Sequence, residues 1–76
     1  MAGYVLLGRP DCHLCEAFLE ALEMDCPALV PELTLADVDS RTDWQQRFGL
    51  RIPVLIDANG AVVCEGHFDA RRLAGP

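Results

Sequence analysis

Two apolar runs, Ile52-Pro53-Val54-Leu55-Ile56 and Ala61-Val62-Val63-Cys64, flank Asn59-Gly60, and this arrangement limits the fold more than any other stretch. Asn-Gly tolerates the positive φ angles of a tight reversal, so the runs read as an antiparallel hairpin closed by a two-residue turn. A lone hairpin is marginal in water and needs further strands or a helix. Both runs are apolar at nearly every position, which calls for cover on both faces of the sheet. The rest of the 76 residues must supply it.

Tyr4-Val5-Leu6-Leu7 reads as a short buried strand, stopped by Gly8 and Pro10. Asp11 is the expected N-cap of a helix running from Cys12 to about Met24. Cys15, Phe18, Leu19 and Leu22 share one face of it, and Glu16, Glu20 and Glu23 take the other. Pro27 and Pro31 bound its exit loop. Leu33 to Val38 reads as a second strand with Leu33, Leu35 and Val38 toward the core. Ser40 or Thr42 caps a short helix that carries Trp44 and Phe48 as core residues and ends at Gly49. The closing DARRLAG forms a short helix from Asp69. The order β-α-β-α-β-β-α predicts a single α/β domain over residues 1–76, with a four-stranded mixed sheet covered by helices on both faces.

Apolar residues make up 51% of the chain, enough for a thin core. With 6 basic residues against 12 acidic ones, the net charge of −6 repels phosphate backbones and anionic bilayers, so no nucleic acid and no membrane is expected as a partner. No apolar run approaches the ~18 residues of a membrane span. The first residues, MAGYVLLGRP, lack a basic leader, so the expected setting is the cytoplasm, where structural disulfides are uncommon. The expected state is a monomer.

Against that setting, Cys12 and Cys15 stand out. Cysteines three apart can clip a metal, staple a loop or exchange electrons with another thiol. At i and i+3 of a helix their Cβ atoms lie ~5–6 Å apart, close enough for a bond that opens and closes without moving the fold. The two sulfurs are unequal. Cys12 is at the helix start, where unpaired N–H groups favour a thiolate; Cys15 lies on the apolar face. His13 supports a thiolate when protonated, and Asp11 opposes one. Cys64 and His67 complete a Cys₃His set of zinc type with the pair. One strand separates the two halves, too far for ~2.3 Å Zn–S bonds, so no metal is expected. Cys26 and Cys64 read as small buried hydrophobes that the fold keeps apart.

The chain resembles the thioredoxin superfamily, glutaredoxins more closely than thioredoxins, over nearly its whole length. The resemblance rests on CHLC after the first strand, on Ile52-Pro53 opening the third, and on RFGLRIPVLI and NGAVVCEG. It implies a thioredoxin-like fold and a thiol-disulfide oxidoreductase in which Cys12 attacks and Cys15 resolves. It implies also a cis Ile52–Pro53 bond that faces the cysteines, with the backbone there aligning substrate. Arg9, three before the first cysteine, corresponds to a basic residue of glutaredoxins that contacts an anionic substrate, and Asp69 to a glutathione contact. The family's glycine pair is incomplete at Gly66-His67, its usual Cys-Pro-Tyr-Cys is Cys-His-Leu-Cys, and the buried acid of thioredoxins is replaced by Leu6. Partners implied are protein or small-molecule disulfides. No cofactor is required, and glutathione enters as a reductant. A redox-inactive binding module on the same fold and a Cys/His metal protein are the alternatives from other classes.

Overall fold

Alternation along the first strand decides the layers. The computed structural model describes residues 3–73. In chain order it contains β1 (Tyr4–Gly8), α1 (His13–Asp25), β2 (Leu33–Asp37), α2 (Thr42–Phe48), β3 (Val54–Ile56) and β4 (Val62–Glu65). Short 3₁₀ segments fill Pro27–Glu32, Val38–Ser40 and Ala70–Arg72. The sheet order is β2-β1-β3-β4, with β1 parallel to β2 and antiparallel to β3, and β3 antiparallel to β4. This is the four-stranded mixed sheet of a thioredoxin-like fold. No helix among the described residues is long and apolar enough to cross a membrane.

Leu6 points to one face, where it meets Phe18 and Leu22 of α1 together with Leu55 and Cys64. Leu7 points to the other and meets Phe48 of α2 with Val38, Val54 and Ile56. Helices therefore cover both faces, and each buried side chain of this size contributes about 1.5–3 kcal/mol. Phe18 also meets Phe68 edge to face, with ring centroids 5.6 Å apart. Trp44 is half-buried against the α2-side cluster, with the Arg41 guanidinium 4.5 Å above its ring.

Several local expectations need correction. Leu35 does not reach the core: it is 59% exposed. Its strand is the sheet's edge, and the face it shares with Leu33 is not covered at that position. Val38 is fully buried, but in the 3₁₀ turn beyond β2 and on the α2 side. The hairpin connection is longer than two residues. Asp57 pairs with Ala61 through a 2.9 Å hydrogen bond, leaving Ala58, Asn59 and Gly60 as the loop. Asn59 does not adopt positive φ, whereas Gly60 does, at 83°. The Asp57 carboxylate accepts from the N–H of Asn59 and of Ala61, which favours this wider turn. Neither Ser40 nor Thr42 caps α2. Arg41 occupies that position without a side-chain capping bond, and the Ser40 hydroxyl donates to the Asp37 carbonyl instead. After Asp69 the chain forms only the turn Ala70–Arg72, which Asp69 caps by accepting from the Arg71 N–H. Leu73 closes that turn, and Ala74 and Gly75 of the expected terminal helix lie outside the described residues.

Candidate active site

The loop from β1 to α1 builds the site. Asp11, expected as the cap, takes a left-handed conformation at φ 60° and turns the chain. Cys12 is the N-cap: its backbone is extended, and its Sγ accepts the N–H of Cys15 at 3.1 Å. Cys12 and Cys15 are joined in a disulfide, with Cα atoms 5.2 Å apart. Both are half-buried. Gly8, at the end of β1, lies against the pair. A Cβ built on Gly8 would stand 3.0 Å from the Cys15 Sγ, so a side chain there would press on the second sulfur.

Between the cysteines, His13 is almost fully exposed, and its Nδ1 lies 3.7 Å from the Glu16 carboxylate. Leu14 is 56% exposed. Beside the disulfide a cleft of about 360 Å³ opens between α1 and β2, with Leu6, Leu19 and Leu35 among its apolar walls.

Arg9 is held by protein groups. Its Nε donates to Asp39 Oδ2 at 2.8 Å, its Nη2 to Asp39 Oδ1 at 3.0 Å, and its Nη1 to the Gly49 carbonyl at 2.7 Å. Gln45 donates to the same Asp39 carboxylate. The hydrogen bond from Arg9 holds the Asp39 carboxyl below the usual carboxylate range and raises the guanidinium in return. The clasp ties the start of the Cys12 loop to the turn after β2 and to the end of α2. Nothing in the sequence pattern marks Asp39 or Gln45, and Gly49 reads there as the stop of the second helix. Gly49 is in fact right-handed, at φ −55°. A Cβ there would run into the Gln45 carbonyl oxygen and come within 3.3 Å of Arg9 Nη2.

The Ile52–Pro53 bond is cis, as the resemblance implied. Pro53 is fully buried, one residue before the Leu7–Val54 pairing that sets β3 beside β1. Its carbonyl accepts from the Gly66 N–H at 2.8 Å. Among the described residues, the backbone N–H and C=O of Ile52 have no hydrogen-bond partner. Asp69 turns its carboxylate to the Arg71 N–H and guanidinium, and that side-chain hydrogen bond lowers its affinity for a proton.

Cys64 is buried, as expected, opposite Leu55 in the α1-side core. Burial pushes its thiol up, disfavouring the thiolate. Cys26, expected to be buried, is only half so, because it ends α1 as the C-cap. Among the described residues, no group of three or more His, Cys, Asp or Glu side chains is placed to hold a metal ion.

The chain thus sets a disulfide-bonded cysteine pair at the start of the helix that follows β1, with the proline-headed β3 paired to that strand. A model of the glutaredoxin-like domain (DUF836) matches residues 4–75. The chain belongs to this glutaredoxin-like family. Two solved structures are similar to this glutaredoxin-like chain. One is a solution structure of a Nitrosomonas europaea protein, 26% identical, covering 96% of this chain and 87% of that one with a TM-score of 0.81. The other is an X-ray structure of an X. campestris protein, 34% identical over 97% of this chain and 100% of that one, with a TM-score of 0.72. No curated protein matches. Family and spacing together point to chemistry of redox type at the Cys12–Cys15 pair.

Proposed function

We propose that the protein is a thiol-disulfide oxidoreductase that works through a mixed disulfide. The observation that carries this reading is the bonded Cys12–Cys15 pair, with Cys12 as the cap of α1 and the Cys15 N–H directed at its sulfur. Once the pair is reduced, that N–H and the positive end of the helix favour a thiolate at Cys12. The thiolate attacks one sulfur of a substrate disulfide. The substrate S–S bond breaks, and its electron pair leaves with the second sulfur, which takes a proton from water. Cys15, after losing its own proton, attacks Cys12 Sγ. The mixed disulfide breaks, the first substrate sulfur departs and is protonated, and the Cys12–Cys15 bond is restored. Two electrons have passed from the dithiol to the substrate, and an external thiol such as glutathione returns them.

Ile52 and Pro53 align the substrate in this scheme, the open backbone of Ile52 accepting an extended segment. Arg9 acts mainly by fixing the loop that carries Cys12, since Asp39 and Gly49 take up its donors. Asp69 contributes a weak contact to glutathione. Substrates are protein or small-molecule disulfides, met by a cytoplasmic monomer that needs neither metal nor organic cofactor. The test is turnover of bis(2-hydroxyethyl) disulfide with glutathione as reductant and, separately, with dithiothreitol. The reading expects turnover with at least one of them. Absence of turnover with both would leave a binding module on the same fold.

A further inference from the structure

We propose that the cleft between α1 and β2 receives an apolar side chain adjacent to the disulfide-bonded cysteine of a neutral or basic polypeptide substrate. The proposal rests on the exchange reading above and names the substrate class for that same site.

Three observations carry it. First, both cysteines line the cleft, so whatever occupies it lies against the reacting sulfurs. Second, its depth is apolar. Leu6 and Leu19 stand behind the pair, and Leu35 faces them from the sheet edge while 59% exposed. A leucine on that face of a strand ordinarily seeks cover, and no element of the described chain supplies it. At about 360 Å³, the space suits one large aliphatic or aromatic side chain with its flanking backbone. Third, the rim is acidic. Asp11, Glu16 and Asp37 surround the opening, and Arg9, the one cation among the lining residues, is spent on Asp39 and the Gly49 carbonyl. A ligand with two free carboxylates, such as glutathione, meets this rim unfavourably. A peptide with a lysine or arginine near its cysteine complements it.

The experiment uses short peptides whose cysteine is in mixed disulfide with cysteamine. One carries leucine beside the cysteine and lysine beyond it; others replace leucine by serine or lysine by glutamate. A pocket for one apolar group discriminates about 10- to 200-fold, so kcat/KM for the leucine peptide should exceed that for the serine peptide by about tenfold or more. In the Leu35→Ser protein, which alters an exposed position, this ratio should fall toward unity. The glutamate peptide should be the poorer substrate at low salt, with the difference shrinking as salt is added. A second arm uses a leucine-lysine peptide with alanine in place of cysteine and follows methyl resonances of Leu19 and Leu35. Shifts at both would support the cleft even if no disulfide is turned over, a result that would sink the exchange reading alone. A serine-to-leucine ratio near one that is unmoved by Leu35→Ser, or peptide binding with no shift at Leu19 and Leu35, would overturn the cleft assignment.

Discussion

Replacing Gly49 with alanine opposes two effects of known sign. Gly49 sits at the end of α2 with φ −55° and ψ −30°, angles any residue adopts. Helix propensity alone therefore predicts a gain of about 1 kcal/mol from alanine. The surroundings predict the reverse. The new Cβ would collide with the Gln45 carbonyl oxygen, a backbone atom that cannot rotate away, and would press on Arg9 Nη2. Overpacking costs about 1–3 kcal/mol, and a backbone obstacle belongs in the upper part of that range. The difference is a net loss of about 1–2 kcal/mol. For a chain of this length total stability is roughly 4–11 kcal/mol. The melting temperature should then fall by roughly 5–15 °C. Trp44, the single tryptophan, lies on the same helix, so its fluorescence in a urea titration reads the transition directly. An alanine protein as stable as the parent, or more stable, would refute the claim that space rather than backbone angle demands glycine here.

Two further outcomes follow from the charges and the unpaired thiols. Hydrogen bonds from Arg9, Arg41, Arg51 and Arg71 lower the carboxyl groups of Asp39, Asp43, Glu65 and Asp69. Their stabilisation is present above the ordinary carboxylate pKa of about 4 and is lost as pH falls through the lower folded values. Stability should therefore drop with acid below about pH 4, and Asp39→Asn should flatten that drop in urea titrations. A pH-independent midpoint between about pH 5 and 2 would contradict this. After reduction, iodoacetamide at neutral pH should label Cys26 well before Cys64, which is only 6% exposed and whose thiol is disfavoured as an anion by burial. Equal labelling rates by mass spectrometry would place Cys64 elsewhere.

Much of the fold was legible because its signals are local. The apolar run of β1, the helical spacing of Phe18 and Leu22, and the turn before Ala61 each report on neighbours in sequence. Their sum fixes a mixed sheet between two helical layers. The cysteine pair was legible for the same reason. What escaped depends on distant partners or on competition within a turn. The Arg9 clasp joins residues 30 and 40 positions apart, and no periodicity announces it. Leu35 satisfies the strand alternation yet stays exposed, because alternation assigns a face and not whether that face is covered. Asp11 is a good cap by residue type, but it takes a left-handed conformation in the turn from β1 to α1, and Cys12 holds the cap position. At the hairpin, the Asp57 carboxylate outweighed the preference of Asn-Gly for the shorter turn.

The division of labour between the cysteines is the centre of this account, and trapping the mixed disulfide measures it. Each serine variant would be reduced, mixed with a peptide disulfide and analysed intact by mass spectrometry. In the Cys15→Ser protein the substrate adduct should accumulate on Cys12, because the attacking sulfur remains and the resolver is gone. With Cys12→Ser, neither adduct at the site nor turnover should be found. Adducts formed preferentially on Cys15, or equal turnover by the two variants, would contradict the assignment.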